Sequence, residues 1–262
     1  CDLGGDPSVS NEIMKSNIES TSRVSAFTDL GLAPGLVNII AENEILKPEN
    51  KGATLLNLRV GGIPKSPKGA LKYGLTWSIE GLYNEYKGKC KVLRDGHITE
   101  VDALDDYETF NMDGIDKELE AFNTKGGISD TLRRLADYGI KNSSYKTIRY
   151  KGHRHILKFM LDECDMSLSE FSKFIQRSCP KTKKDMILIK ISSELTNKEV
   201  IINSDKNWSA MQIATAYPAA CVAKMMVDGD FNNIASPTYS DIDNKKFSDM
   251  LTQNFDGFPV II

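Results

Sequence analysis

The sequence predicts a mixed α/β fold of the α+β type, with a central mixed or antiparallel sheet, helices around it, and further α/β pieces at both ends. Strand candidates follow one another between residues 50 and 205, and helix candidates precede and follow them. Such a segregated run of strands is typical of α+β domains. The composition is globular, since 40% of the 262 residues are hydrophobic and 26% are charged. We therefore expect one domain in the middle and parts of another at the ends.

The first elements are a polar helix candidate at Ser8–Ser20 and a short strand at Arg23–Thr28. A turn follows at residues 29–35, and Pro34 suits the first position of a helix because its missing N–H costs nothing there. That helix carries apolar residues on one side and should end before Pro48.

The middle of the chain is rich in strand candidates bounded by turn residues. Lys89–Arg94 and His97–Val101 form a predicted hairpin across Asp95-Gly96, a pair that tolerates positive φ. Met186–Glu194 and Lys198–Asn203 form a second predicted antiparallel pair. The remaining strand candidates are Ala53–Val60, which ends at Gly61-Gly62, Leu71–Trp77, Tyr107–Phe110, Leu119–Thr124 and Lys146–Tyr150.

Helical spacing of apolar residues predicts the helices. The most apolar one, Trp208–Val227, should be buried on more than one side and kinked at Pro218. The other helix candidates are Ser78–Tyr86, Ser129–Tyr138, the amphipathic His153–Cys164, Ser169–Arg177, which Pro180 stops, and Phe247–Leu251.

Charge and cysteine content exclude several classes of protein. The net charge is -3 and the pI about 5.7, so no global field favours nucleic acid or anionic lipid. No apolar run reaches the ~18 residues of a membrane span. Five scattered cysteines without a C-x-x-C pair indicate a reducing compartment and no zinc site. We expect a soluble, cytoplasmic protein that binds neither nucleic acid nor membrane.

The start of the chain is unusual because it lacks an initiator Met and a signal peptide pattern. We expect the sequence to begin within a fold. Self-contained motifs are also lacking, since there is no G-x-G-x-x-G, G-x-x-x-x-G-K-[ST], H-E-x-x-H or G-x-S-x-G. His153 and His155 are two residues apart, point to different helix faces, and do not form a metal pair. We expect no metal site.

Two segments carry candidate site residues. Strand alternation puts Thr147, Arg149 and Lys151 on one face, where Arg149 either meets a carboxylate or lies on a solvated edge. His153 follows at a helix start as a cap or a pH-responsive residue. In the other segment, Glu80 and Asn84 share a helix face at i and i+4. They either belong to an ordinary capped helix or bind a substrate ammonium together.

Several short motifs occur in an order that resembles a known family. They are Asp29-Leu30-Gly31-Leu32-Ala33-Pro34-Gly35 with Asn38, Val60-Gly61-Gly62-Ile63-Pro64, Trp77-Ser78-Ile79-Glu80-Gly81-Leu82, Glu120-Ala121-Phe122-Asn123-Thr124 with Gly126-Gly127, Lys146-Thr147-Ile148-Arg149-Tyr150-Lys151-Gly152-His153, and Ala214-Thr215-Ala216-Tyr217. Together they resemble the saccharopine dehydrogenase family, and most closely its lysine 6-dehydrogenase branch. Each motif alone is weak, but their order and spacing cover nearly the whole chain.

The resemblance implies a domain organisation. Residues 1–43 would be the remnant of a Rossmann-type dinucleotide-binding domain, residues 44–205 an inserted catalytic and dimerisation domain, and residues 206–262 a helix and tail that return to the first domain. The phosphate-binding glycine loop and the ribose-binding acid would precede Cys1. The resemblance also implies a homodimer.

The implied chemistry is hydride transfer between NAD or NADP and a C–N bond of an amino acid. In the lysine 6-dehydrogenase branch, the ε-amine becomes an imine, which water converts to a semialdehyde that cyclises. Glu80 and His153 would be catalytic, with Glu80 at the substrate ammonium and His153 as proton acceptor. Arg149, Asn84 and Gly5 would bind substrate. The cofactor-binding residues would be Asp2, Leu3, Gly4, Gly31, Leu32, Ala33 and Thr76.

Two alternatives remain open at this stage. The chain could be a non-catalytic ligand-binding or dimerisation module derived from the family. It could also be an enzyme of the same class that acts on saccharopine or a polyamine precursor. We expect the chain by itself to be inactive and to bind NAD weakly or not at all.

Overall fold

The computed structural model describes residues 1–4, 12–13, 15–16, 25–128, 130–232, 234, 236–255, 257–259 and 261. Its strands are β1 Leu56–Pro64, β2 Lys89–Arg94, β3 His97–Asp102, β4 Glu108–Phe110, β5 Leu119–Asn123, β6 Tyr145–Tyr150, β7 Asp185–Ser193 and β8 Asn197–Asn203. Its helices are α1 Leu36–Leu46, α2 Ile79–Tyr86, α3 Thr131–Asp137, α4 His153–Lys158, α5 Leu168–Ser178, α6 Ala210–Val227 and α7 Asn244–Asn254.

Six strands form the central sheet in the order β4-β5-β6-β1-β7-β8. β1 runs parallel to β6 and antiparallel to β7, and the other neighbouring pairs are antiparallel. The predicted mixed α/β class with a mixed central sheet is therefore confirmed.

The predicted hairpin is confirmed as the separate sheet of β2 and β3, with Arg94 opposite His97. The turn residues Asp95 and Gly96 have φ values of 49° and 81°. These positive values match the type of turn that joins twisted strands across two residues.

Some elements differ from the prediction. β1 continues through Gly61 and Gly62 to Pro64. Strand β6 lies so close to Gly61 that a Cβ there would come within 2.2 Å of the carbonyl oxygen of Ile148. Glycine thus allows the close approach of β6 rather than ending the strand. Leu71–Trp77 forms no strand, only one isolated bridge at Leu75. Lys72 has a φ of 50°, which breaks the extended backbone.

The amino-terminal part differs as well. Residues 25–28 are irregular, and the backbone there bonds to Asp2, whose N–H donates to Phe27. Helix α1 begins after Gly35, the N-cap with a φ of 133°, rather than at Pro34. Most of the predicted helix Ser8–Ser20 lies outside the described residues, although 12–13 and 15–16 are helical.

Helix α6 has one buried face, so the prediction of burial on several sides was wrong. Its buried residues recur at helical spacing and are Ala210, Ile213, Ala214, Pro218, Cys221, Val222 and Met225. The opposite face is apolar in composition because small alanines such as Ala216 and Ala220 occupy exposed positions. Within the described residues, no helix is long and apolar enough to span a bilayer.

The largest apolar cluster joins both ends of the chain on one face of the sheet. Leu36 and Ile40 of α1, Leu58 of β1, Val222 of α6 and Phe247 of α7 all belong to it. A second cluster lies under α2, α4 and α5, and a third lies on the other sheet face. The domain bounds proposed from the sequence stay predictions.

Candidate functional site

One cavity of about 700 Å³ lies where the amino-terminal segment, the sheet and α2 meet. This volume falls within the usual range of small-molecule sites. Its lining residues are Leu3, Gly4, Gly31, Leu32, Ala33, Pro34, Val60, Gly61, Gly62, Trp77, Ser78, Glu80, Gly81, Asn84, Glu85, Lys125, Gly126, Tyr145, Thr147, Arg149, Met211 and Thr215.

One wall is built from backbone and small side chains. Leu3 and Gly4 lie against Gly31, where a Cβ would come within 2.7 Å of the Leu3 carbonyl oxygen. Asp2 does not line the cavity, and its carboxylate accepts a hydrogen bond from the Gly4 N–H at 2.9 Å. Leu32 and Ala33 continue the wall. Five of the predicted cofactor residues therefore share one surface, and Asp2 supports it from behind.

The opposite wall contains the buried guanidinium of Arg149 on β6. Its side chain is only 5% exposed. The Nε–H donates to the Tyr86 hydroxyl at 2.7 Å, and an Nη1–H donates to the Ile148 carbonyl oxygen at 2.9 Å. The rings of Tyr73 and Tyr86 also lie 5.2 Å and 5.6 Å from the guanidinium carbon. Burial opposes the charge, but Tyr86 and Glu85 raise the pKa of Arg149, so it stays a cation.

His153 lies behind Arg149 rather than on the cavity surface. Its side chain is buried, with Nε2 3.2 Å from the Tyr86 hydroxyl and Nδ1 2.9 Å from the Leu71 carbonyl oxygen. Since a carbonyl only accepts, Nδ1 carries the proton and Nε2 accepts from Tyr86. Burial and then the charge of Arg149 lower the pKa of His153 to about 3. Nε2 therefore helps to hold Arg149 through Tyr86, and Nδ1 fixes the ring to the Leu71 backbone.

Glu85 on α2 faces Arg149 across the cavity wall. Its Oε2 lies 3.6 Å from Nη2 of Arg149, and its side chain is 12% exposed. The Thr147 hydroxyl donates to its Oε1. Burial raises the pKa of Glu85, and Arg149 and Thr147 offset part of that rise. A buried carboxylate thus stands beside a buried guanidinium at one end of the cavity.

Glu80 and Asn84 line the cavity from the more exposed part of α2. The Ser78 side chain caps this helix by accepting from the Gly81 N–H at 3.2 Å. A Cβ at Gly81 would lie 2.5 Å from the Trp77 ring, so glycine lets that ring pack on the helix. The sequence predicts that Glu80 and Asn84 share one helix face, and both residues line the cavity.

Thr76 and Gly5 are the remaining predicted site residues. Thr76 is not among the lining residues, although its hydroxyl is buried without a hydrogen-bond partner among the described residues. Gly5 lies outside the described residues.

In the part of the chain that the structure describes, no group of three or more His, Cys, Asp or Glu side chains is arranged to hold a metal ion.

Sequence reasoning missed Glu85 and Thr147 as site residues. The alternation of β6 placed Thr147 on the face of Arg149, so that signal was present. Glu85 follows Asn84 directly, but helical spacing assigns it to a different stripe from Glu80. Only the packing of α2 against β6 brings Glu85 to Arg149.

Comparison with known proteins assigns the family. The sequence profile of the saccharopine dehydrogenase C-terminal domain matches residues 31–254, which is most of the chain. The chain belongs to this family. The chain is also similar in structure to apo histidine-tagged saccharopine dehydrogenase (L-Glu forming) from Saccharomyces cerevisiae. That match has a TM-score of 0.69 and 14% sequence identity, and covers 94% of this chain and 74% of that chain.

The structural likeness supports the fold of this saccharopine dehydrogenase C-terminal domain. The family expected from the order of motifs is therefore confirmed.

Proposed function

We propose that the protein is the substrate-binding part of an NAD(P)-dependent amino-acid dehydrogenase that oxidises a side-chain amine, as in the lysine 6-dehydrogenase branch. The observation that carries this proposal is the pairing of opposite charges in one cavity. Arg149 offers a buried cation, and Glu80 and Glu85 offer carboxylates. An amino acid with an additional amine carries the complementary charges.

Arg149 is suited to the substrate carboxylate because the planar guanidinium binds two oxygens at once. Its Nε–H and one Nη1–H are occupied by Tyr86 and Ile148. A guanidinium has five N–H donors, so three have no hydrogen bond to the described residues. These donors are available to a ligand in the cavity.

Glu80 is suited to the reacting amine. Hydride leaves readily only from a neutral amine, yet a free lysine amine has a pKa of about 10.4, so the site must favour loss of a proton. Glu80 would bind the ammonium, accept its proton and pass that proton to solvent, because it lines the exposed part of the cavity. The sequence predicts His153 as the proton acceptor, but its Nε2 accepts from the Tyr86 hydroxyl and its Nδ1 donates to the Leu71 carbonyl oxygen. We propose that it positions Arg149 instead.

The residues present fit the ring end of a nicotinamide dinucleotide. The wall of Leu3, Gly4 and Gly31 to Ala33 exposes backbone and carries no charged side chain, which leaves room for a flat ring. The buried, unpartnered hydroxyl of Thr76 is a further candidate for a cofactor contact. When bound, NAD or NADP supplies the hydride acceptor. The homodimer and the cytoplasmic location stay predictions.

A calorimetric titration with L-lysine tests the substrate site. Arg149→Gln should weaken binding by tenfold or more, because a charge-assisted hydrogen bond contributes about 1.5–3 kcal/mol. Arg177→Gln is the matched control, because Arg177 is exposed on α5 outside the cavity. Equal affinity for both variants would contradict the assignment of Arg149.

The activity requires a separate assay. The coding sequence upstream of Cys1 should be read, and a strand, a G-x-G-x-x-G turn and a helix there would define the chain to assay with L-lysine and NAD. Formation of NADH is the expected result. Binding of L-lysine without NADH formation by that chain would instead favour a ligand-binding module.

A further inference from the structure

A second cavity, of about 360 Å³, lies at the carboxyl end of β6. None of its lining residues also lines the main cavity of about 700 Å³ that contains Arg149. Strand alternation directs Tyr150 to the sheet face opposite that of Arg149, where it belongs to the third apolar cluster. The volume is at the lower end of the range for small-molecule sites. The lining residues are Pro67, Gly69, Lys72, Lys117, Glu118, Tyr150 and Lys151.

The lining of this second cavity presents three ammonium groups. Lys72 Nζ donates to the Lys151 carbonyl oxygen at 2.8 Å, and Lys151 Nζ lies 2.7 Å from Oε2 of Glu118. An ammonium has three N–H donors, so two donors of each lysine have no hydrogen bond to the described residues. Lys117 forms no ion pair with the described part of the chain. Three ammonium groups and one carboxylate give the lining a net charge of +2.

The chain around the second cavity adds further positive charge. Residues 65–72 contain three lysines and no acidic residue, and so do residues 181–184. The Lys65 N–H donates to the Lys184 carbonyl oxygen at 3.0 Å, which holds the two segments together. Lys68 lies between two lining residues in the sequence. In a chain with a net charge of -3, this surface is a local concentration of cations that attracts anions.

We infer that the second cavity binds a small compound with two adjacent phosphate groups. Lysine binds phosphate as a compact point charge, whereas bidentate recognition of a carboxylate favours arginine, which the lining lacks. One phosphate monoester carries a charge of about -1.5 to -2, which the lining compensates. Lys65 and Lys68 provide positive charge for a second phosphate group. This site is separate from the proposed dehydrogenase site and does not depend on it.

The surroundings of the second cavity favour a phosphorylated small molecule over a nucleic acid. The bases of a single strand bind by stacking on aromatic side chains. Tyr150, the one aromatic lining residue, is 3% exposed, and its hydroxyl donates to the Pro64 carbonyl oxygen at 3.0 Å. Residues 65–72 and 181–184 contain no aromatic residue. The cavity therefore offers positive charge without a surface for stacking.

Calorimetric titration of the protein with inorganic pyrophosphate, at constant ionic strength, tests the site. Pyrophosphate should bind about tenfold more tightly than inorganic phosphate, because one more charge-assisted hydrogen bond contributes about that factor. One pyrophosphate should bind per chain. Equal affinities for the two ions, or no binding of pyrophosphate, would overturn the inference.

Two variants with opposite expected effects assign the binding to the second cavity. Lys117→Gln should weaken pyrophosphate binding about fivefold, the upper range for one exposed ion pair. Lys117 is exposed and unpaired among the described residues, so this variant should keep the fold. Glu118→Gln should strengthen binding, because it removes a negative charge from the lining and frees the ammonium of Lys151. Unchanged affinity in both variants would overturn the inference.

Two further lysine variants serve as controls. Lys91→Gln removes the same charge from an exposed position on β2 outside both cavities, and it should leave the affinity unchanged. Lys125→Gln removes a lysine that lines the main cavity. If pyrophosphate binding is lost in Lys125→Gln and kept in Lys117→Gln, the anion binds in the main cavity and the inference is overturned.

Two more ligands distinguish the sources of the phosphate groups. ADP carries the diphosphate on a nucleoside, and ADP binding that weakens in Lys117→Gln would support a nucleotide as the natural ligand. Binding of pyrophosphate without binding of ADP would support a diphosphate that is free. Tight binding of a single-stranded oligonucleotide that pyrophosphate does not displace would overturn the inference in favour of an extended nucleic-acid surface.

Discussion

The hydroxyl of Tyr86 connects Arg149 to His153, and its removal tests whether that connection holds the guanidinium in place. It accepts from Arg149 Nε at 2.7 Å and donates to His153 Nε2, 3.2 Å away. Tyr86 is 1% exposed, so Tyr86→Phe leaves a cationic donor and a ring nitrogen buried without partners. The hydrogen bond to a charged group contributes about 1.5–3 kcal/mol and the neutral one about 1 kcal/mol.

The expected loss in the free energy of unfolding is therefore about 3 kcal/mol. For a chain of this size, that corresponds to a fall in Tm of roughly 6–12 °C. The Kd for L-lysine should rise about tenfold, because Arg149 loses the contact that fixes its orientation. Urea unfolding and calorimetric binding of L-lysine measure the two effects.

Tyr83→Phe is the control because Tyr83 is on the same helix and its hydroxyl donates to the Met166 carbonyl oxygen at 3.1 Å. Loss of this neutral bond should cost about 1 kcal/mol and leave ligand binding unchanged. Equal destabilisation by the two variants, or unchanged L-lysine affinity in Tyr86→Phe, would refute the reasoning.

Three further predictions follow from the site and the sheet. In a complete enzyme that includes the upstream segment, Glu80→Gln should raise KM for the amine substrate far more than for the cofactor in steady-state kinetics, and an unchanged substrate KM would exclude its role. His153 has a folded-state pKa of about 3, below its unfolded value of 6.5. The unfolded state therefore binds more protons as pH falls from 6.5 towards 3, and the stability that neutral His153 contributes above pH 6.5 is lost at about 1.4 kcal/mol per pH unit. His153→Gln should remove that slope from urea unfolding at several pH values. Gly61→Ala should destabilise the protein by about 1–3 kcal/mol, because the added Cβ would meet the Ile148 backbone, and wild-type stability in chemical unfolding would contradict this.

Elements with a local signal could be predicted from the sequence. Asp95-Gly96 specified the hairpin through its positive φ values, and Ser78 specified the start of α2 as its cap. Alternation along β6 placed Arg149 and Thr147 on the face that lines the cavity. In each case, the deciding interaction joins residues that are close in the chain.

Features that depend on distant packing could not be predicted. Glycines usually end strands, and only the approach of Ile148 explains why Gly61 lies inside β1. The engagement of His153 depends on Leu71 and Tyr86, which are 82 and 67 residues away in the chain. No local pattern reports such partners.

The segment that precedes Gly31 in the cavity wall is attached to the carboxy-terminal part of the chain, which has a consequence for synthesis. The Tyr239 hydroxyl donates to the Asp29 carbonyl oxygen at 2.6 Å. The Ser25 hydroxyl donates to the Ile234 carbonyl oxygen at 2.7 Å. The ring centroids of Phe27 and Phe231 are 5.6 Å apart. Residues 25–29 are therefore synthesised about two hundred residues before the partners that they contact in the folded protein. Contacts so distant in sequence slow folding, and an unfinished chain exposes its apolar surface meanwhile. A chain that ends after β8 would consequently lack the contacts that hold this segment in place, even with every strand of its sheet complete.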